Sequence, residues 1–108
     1  MVGKTRLLAK IRPYSDKLTV LSHPYRVAII YLLLSKQRET REIVRELKAP
    51  PAVAAFHLKK LVSSGWLLKQ NVSGKHVEYR LNLKILRTLF KGFRETPLGM
   101  NVFDIQGN

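Results

Sequence analysis

The Asp and Glu residues of this chain, seven in all, are scattered along it and form no carboxylate pair. No glycine-rich loop suited to cradling phosphate accompanies them, and no nucleophile stands beside a base, so an enzyme is not expected. There is no cysteine, which removes disulfides, thiolate metal sites and thiol nucleophiles together. The three histidines, His23, His57 and His76, lack the spacing of metal ligands, so neither a metal nor a cofactor is expected. What remains is cationic. Twenty Lys and Arg residues set a formal net charge of +13, which repels itself unless a polyanion offsets it. Nucleic acid is the first candidate partner and an anionic membrane surface the second.

The elements that must position these cations follow from periodicity. A length of 108 residues is that of one domain with one core. Leu7, Ile11, Tyr14, Leu18 and Leu21 alternate spacings of four and three, a helical stripe that reads first as core and second as a dimer seam. Pro13 lacks the N–H that an interior turn needs, so this stretch is expected as an arm to about Ile11 and a second piece beyond. The next helix starts at Pro24, and from Val27 to Leu34 it is apolar nearly all round, as a central buried helix would be. Ser35 to Glu39 reads as a charged loop. Thr40 is the expected N-cap of a short helix that turns Ile43, Val44 and Leu47 inward.

Lys48 to Pro51 must be a turn, because a double proline cannot continue the preceding helix. The helix that begins at Pro51 buries Ala54, Leu58, Leu61 and Val62 and stops at Gly65. From Trp66 the period becomes two. Leu67–Gln70 and Val77–Leu81 flank a turn with Asn71, Ser73 and Gly74, which predicts a β-hairpin with Val77, Tyr79 and Leu81 on its inner face. A last helix runs from about Lys84 to Phe93, burying Leu86, Leu89, Phe90 and Phe93, and an irregular tail follows. The domain divides as an arm at 1–20, a nucleic-acid-binding unit at 21–94 and a tail at 95–108. Met1–Arg12 interleaves four cations with a short Leu7-Leu8 pair, unlike a signal peptide, and Val27–Leu34 is too short to span a bilayer. A cytoplasmic protein without membrane contact is expected.

Two short helices, a tight turn and then a hairpin describe a winged helix-turn-helix, mostly α with a small β wing. Such a unit lays one helix in the major groove and reaches flanking phosphates with the hairpin tip. In detail the chain resembles the ArsR family of small winged-helix repressors. The matching segments are Leu21–Val27, Ile43–Leu47, Phe56–Leu67 and Gly74–Leu81, in the family's order and spacing. The resemblance implies a homodimer held by the first and last helices, reading a pseudo-palindromic site on double-stranded DNA. It also implies that Pro51 to Ser64 is the recognition helix. Metal-sensing members carry Cys or His/Asp clusters that this chain lacks.

A second departure lies on the recognition helix itself. Ala52, Ala55 and Phe56 share a face where relatives place groups that hydrogen-bond to base edges, and polar reach begins only at Lys59, Lys60 and Ser63. Two readings stand: small side chains approach closely and touch thymine methyl groups, or the apolar face meets a protein partner. In the first, specificity is modest or rests on DNA shape. An architectural, non-specific DNA-binding role is the remaining alternative. Pro51 starts this surface, while Lys59 and Lys60 are expected on phosphate. Lys75 and His76 at the wing, Arg80 on the outer strand face and Arg41 on the helix before the turn complete the candidate set. Arg45 is expected to pair with an acid of its own helix. His57, at the family's usual histidine position, is expected to be semi-buried packing rather than a pH switch, and Trp66 and Tyr79 are expected in the core.

Overall fold

The computed structural model describes the backbone of residues 2–94 and the side chains of residues 6–91. The expectations for Phe93 as a buried side chain and for the tail at 95–108 lie outside the described residues. The elements run α1 (Val2–Thr19), a single 3-10 turn, α2 (Pro24–Leu33), β1 (Arg38–Glu39), α3 (Thr40–Leu47), α4 (Pro51–Ser63), β2 (Leu67–Ser73), β3 (His76–Leu81) and α5 (Leu83–Arg94).

Local chemistry sets most of the boundaries. His23 is extended and its Nδ1 accepts the Tyr25 N–H at 3.0 Å, capping α2 just ahead of Pro24. The N-cap of α3 is Glu39, not Thr40. Glu39 and Glu42 form a capping box, in which the Glu39 N–H donates to Glu42 Oε1 at 3.3 Å. Thr40 is the first helical residue, and its hydroxyl turns outward to donate to the Val77 carbonyl at 3.5 Å. Lys48 closes α3 in the left-handed region at φ 53°. Pro50 and Pro51 then start α4, with the Val53 and Ala54 N–H groups both donating to the Pro50 carbonyl at 3.0 Å. Gly65 follows α4 at φ +88°, a backbone conformation that favours glycine, and a Cβ there would press on Ile85 Cδ1 at 3.3 Å.

The expected hairpin forms, and it gains a third strand. The antiparallel sheet has the order β1-β3-β2, with Leu67 opposite Leu81 and Arg38 opposite Tyr79. The last two residues of the expected Ser35–Glu39 loop are therefore β1. Two residues are too few to show alternation, so pairing with β3 is their only strand signal.

The core gathers Ile29, Leu33, Ile43, Leu58, Leu61 and Trp66 from the helices and their junction, with Tyr79 and Leu81 from the wing. Three expectations about burial fail. The helix α2 is not buried all round: Ile29 and Leu33 face the core, but Val27 and Leu34 are exposed and Tyr31 is 74% exposed. A domain this small has one core, and a helix on its surface buries only one stripe. The α1 stripe is not core in the single chain, since Leu7, Ile11 and Leu18 are exposed while Tyr14 and Leu21 are only half-buried. On α5, Ile85 and Leu89 take the inner positions and Phe90 is about half exposed.

Pro13 does not break α1, which is continuous from Val2 to Thr19. Proline removes one backbone bond, and the turns beyond it are held from outside. The Trp66 indole donates to the Lys17 carbonyl at 2.8 Å, and Lys17 Nζ donates to the Ser64 carbonyl at 2.9 Å. These contacts hold the arm's second half against the 21–94 unit.

Candidate nucleic-acid interface

The helix α4 separates its side chains cleanly. Ala54, His57, Leu58 and Leu61 point into the protein, while Pro51, Ala52, Ala55, Phe56, Lys59, Lys60 and Ser63 are all exposed. No acidic side chain lies anywhere in Pro51–Ser63. Phe56 is 52% exposed but not loose. Lys60 Nζ stands 5.6 Å from its ring centroid, and the His57 ring meets it edge-on at 5.3 Å. Val53, absent from the expected surface, is exposed beside Ala52 and widens the apolar tip. Ser63 offers less than expected, because its hydroxyl already donates to the Lys60 carbonyl at 3.1 Å.

Behind this face His57 is only 5% exposed and well partnered. Arg26 Nε donates to His57 Nδ1 at 3.1 Å, which puts the proton of the neutral ring on Nε2. The same guanidinium donates to the Val20 carbonyl at 3.1 Å, so Arg26 ties α4 to the turn before α2. The His23 ring lies 4.2 Å from the His57 ring. Burial, then the neighbouring His23 and Arg26, lower the His57 pKa from 6.5. Arg26 is the residue the sequence reading missed. Its signal was a guanidinium at the start of an apolar helix, which must find acceptors when it is half-buried.

A stability prediction follows from the depressed His57 pKa. The unfolded chain takes up the proton first as pH falls, so the contribution of neutral His57 is complete above 6.5 and lost below it. The urea midpoint is expected to be lower at pH 5.5 than at pH 7.5, and the difference to shrink in His57→Gln. A pH dependence identical in the two proteins would sink this assignment.

The wing brings three of the candidate residues into one cleft. Arg41, Lys75 and His76 line it together with Glu39, Thr40 and Val77. Glu39 sits between two of them, 3.3 Å from Arg41 and 3.7 Å from His76 Nδ1. It therefore offsets part of the Arg41 charge while capping α3. Lys75 at the tip carries no such partner among the described residues. Arg80 falls elsewhere: it opposes Leu68 near the base of the hairpin and lines a separate hollow with Lys36, Lys84 and Arg87. The expected pairing of Arg45 is not found. Among the described residues, the ion pairs of this region are Arg38 with Glu42 at 3.6 Å and Arg41 with Glu39. The capping box already fixes Glu39 and Glu42 where Arg38 and Arg41 reach them.

A helix-turn-helix that presents an acid-free helix face beside a basic hairpin tip defines the winged helix-turn-helix class of DNA-binding proteins. Residues 23–67 match the family described as bacterial regulatory protein, arsR family. Solved structures share the fold. HlyU from Vibrio cholerae is 17% identical, with a TM-score of 0.65 over 75% of this chain and 87% of its own. The transcriptional repressor BigR from Xylella fastidiosa is 20% identical, with a TM-score of 0.64 over 86% of this chain and 96% of its own. A possible transcriptional regulator for arsenical resistance is 28% identical, with a TM-score of 0.61 over 82% and 95%. No curated protein matches the chain in sequence. Among the described residues no group of His, Cys, Asp and Glu is placed to hold a metal, and no helix is long and apolar enough to cross a membrane.

Proposed function

We propose that this protein is a transcriptional repressor that binds double-stranded DNA as a homodimer, with one α4 in the major groove of each half-site. The observation that carries the reading is the exposed face of α4. Its tip of Ala52, Val53, Ala55 and Phe56 passes into Lys59 and Lys60 without an intervening acid. Small apolar side chains let the helix approach base edges closely and contact thymine methyl groups, while the two lysines meet phosphates. No side chain caps the N-terminus of α4, so the positive end of its dipole is open to a phosphate as well. Arg41, Lys75 and His76 reach the backbone beside the groove, with Lys75 foremost because Glu39 restrains the other two.

The homodimer rests on α1. Leu7, Leu8, Ile11 and Leu18 expose aliphatic surface along one helix of a folded chain, more than an isolated soluble domain normally leaves to water. A second copy covering this surface would space two recognition helices for a palindromic site.

Affinity for duplex DNA is expected to fall steeply with salt, because each phosphate contact releases about 0.9 counterion. Titrations from low to physiological ionic strength measure the slope, and a flat response would remove the DNA reading. Selection of bound sequences from random duplexes separates a repressor, which enriches a motif, from an architectural protein, which does not. The exposed Phe56 keeps a protein partner as the competing reading, and that partner would tolerate loss of Lys59 and Lys60 but not Phe56→Asp.

A further inference from the structure

A hollow of about 270 Å³ lies between α1 and α5, and its lining takes no part in the DNA-facing surface. Its apolar lining is made by the buried Ile85 and Leu89 together with the exposed Pro13. Its rim is cationic, with Lys10 and Lys17 from α1 and Lys84 from α5. Tyr14 and Thr88 complete the wall, and among the described residues no carboxylate lines it. Lys10 and Lys84 form no ion pair among the described residues. The Thr88 hydroxyl is already committed to the Lys84 carbonyl at 2.9 Å, so the ammonium groups are the main donors facing the space.

We propose that this hollow binds a small amphiphilic anion, an aromatic or aliphatic carboxylate, as the effector of the regulator. An apolar lining beside three ammonium groups complements a ligand with one hydrophobic end and one negative end. The volume falls just below the range of drug-sized sites, which fits a compact monocarboxylate better than a nucleotide or a peptide. The commitment to an anion follows from charge: three cations without an acid repel one another, and a carboxylate relieves that repulsion in a half-enclosed space.

The hollow is also connected to the recognition helix. Lys17 donates from Nζ to the Ser64 carbonyl, the residue that closes α4, and Ile85 packs against the Gly65 turn directly after it. An anion between Lys10 and Lys84 draws the Lys17 ammonium toward itself and away from Ser64. The C-terminal end of α4 is then released from a bond that fixes its orientation. Ligand and DNA therefore oppose each other, and each weakens the other by the same factor. This regulatory half rests on the DNA-binding reading, whereas the binding half does not.

The probe is 2-naphthoate, titrated calorimetrically into the full-length protein without DNA, with the uncharged 2-naphthylmethanol as its control. Naphthoate is expected to saturate at one per chain. The alcohol, and naphthoate with a Lys10→Met, Lys84→Met double variant, are each expected to bind at least about tenfold more weakly. Both lysines are exposed, and a circular-dichroism melt verifies that the variant keeps its fold. Saturating naphthoate is then expected to weaken duplex binding by wild type and not by the variant. Equal binding of the alcohol, undiminished binding by the variant, or no binding of naphthoate overturns the site. Naphthoate that binds only after dilution has separated a dimer assigns the hollow to the partner chain and overturns it equally. Binding that leaves DNA affinity unchanged overturns the connection through Lys17. A protein that takes up naphthoate in this pattern but ignores duplexes upholds the site while refuting the repressor reading.

Discussion

Replacing Lys59 and Lys60 together by Glu is expected to lower affinity for duplex DNA by about a hundredfold or more at physiological salt. Both lysines are exposed on the acid-free face of α4, and neither is held by a carboxylate among the described residues. On the proposed reading the double change would swap two attractive phosphate contacts per chain for two repulsive ones, and a dimer would suffer it twice. The salt slope is expected to fall as well, by about one for every phosphate that the protein no longer neutralises. Fluorescence anisotropy on one specific and one random duplex measures both effects. The weakening is expected on both sequences, because phosphate contacts carry no sequence information. Phe56→Ala is expected to behave differently. It removes the ring beneath Lys60 and part of the exposed apolar tip of α4, so on the proposed reading it should narrow the gap between specific and random duplexes. Unchanged affinity in the double Glu variant, with the fold intact, would turn attention to the apolar tip as a protein-binding surface.

The fold was legible wherever a regular period ran for a full element. Leu58, Leu61 and the turn at Gly65 marked α4, and the alternation at Val77, Tyr79 and Leu81 marked β3. The parts that were not legible depend on partners distant in sequence. Glu39 caps α3 because Glu42 answers it and because β3 has placed it, so a hydroxyl at Thr40 was the stronger local sign and the wrong one. Pro13 forecast a break that Trp66 and Ser64 prevent from some fifty residues away along the chain. The apolar run of α2 gave no sign of which stripe would face solvent, since only the packed neighbours choose it.

The candidate site divides in the same way. Ala52, Ala55, Phe56, Lys59 and Lys60 could be placed on one face because helical spacing alone does so. Arg80 could not be separated from Lys75 and His76, because all three lie on the wing and only the register shows Arg80 opposite Leu68. The Arg26–His57 bond joins residues thirty-one positions apart, and residue types alone do not announce it.

Trp66→Ala is expected to cost about 3–5 kcal/mol of folding stability, the usual range for emptying a buried aromatic site. Trp66 is 2% exposed, sits in the core cluster, and is one of two residues, with Ser64, to which Lys17 of α1 is hydrogen-bonded. A domain of this size has roughly 5–15 kcal/mol in hand, so the variant should approach the edge of folding at 37 °C. Trp66→Phe separates the two roles. It keeps most of the buried area and loses the indole N–H bond to the Lys17 carbonyl, a contribution of about 1 kcal/mol. Urea unfolding followed by circular dichroism suits both variants, since the chain's only tryptophan, its natural fluorescence reporter, has been removed. The midpoint should fall modestly in Trp66→Phe and steeply in Trp66→Ala, with hydrogen-exchange protection lost first along α1 in the Phe variant. Because α1 also carries Lys10 and Lys17 and the exposed aliphatic stripe, Trp66→Phe should in addition weaken naphthoate binding and self-association without touching the α4 surface. Unaltered protection of α1 in that variant would mean that the indole bond does not hold the arm, and that Lys17 and Ser64 do so alone.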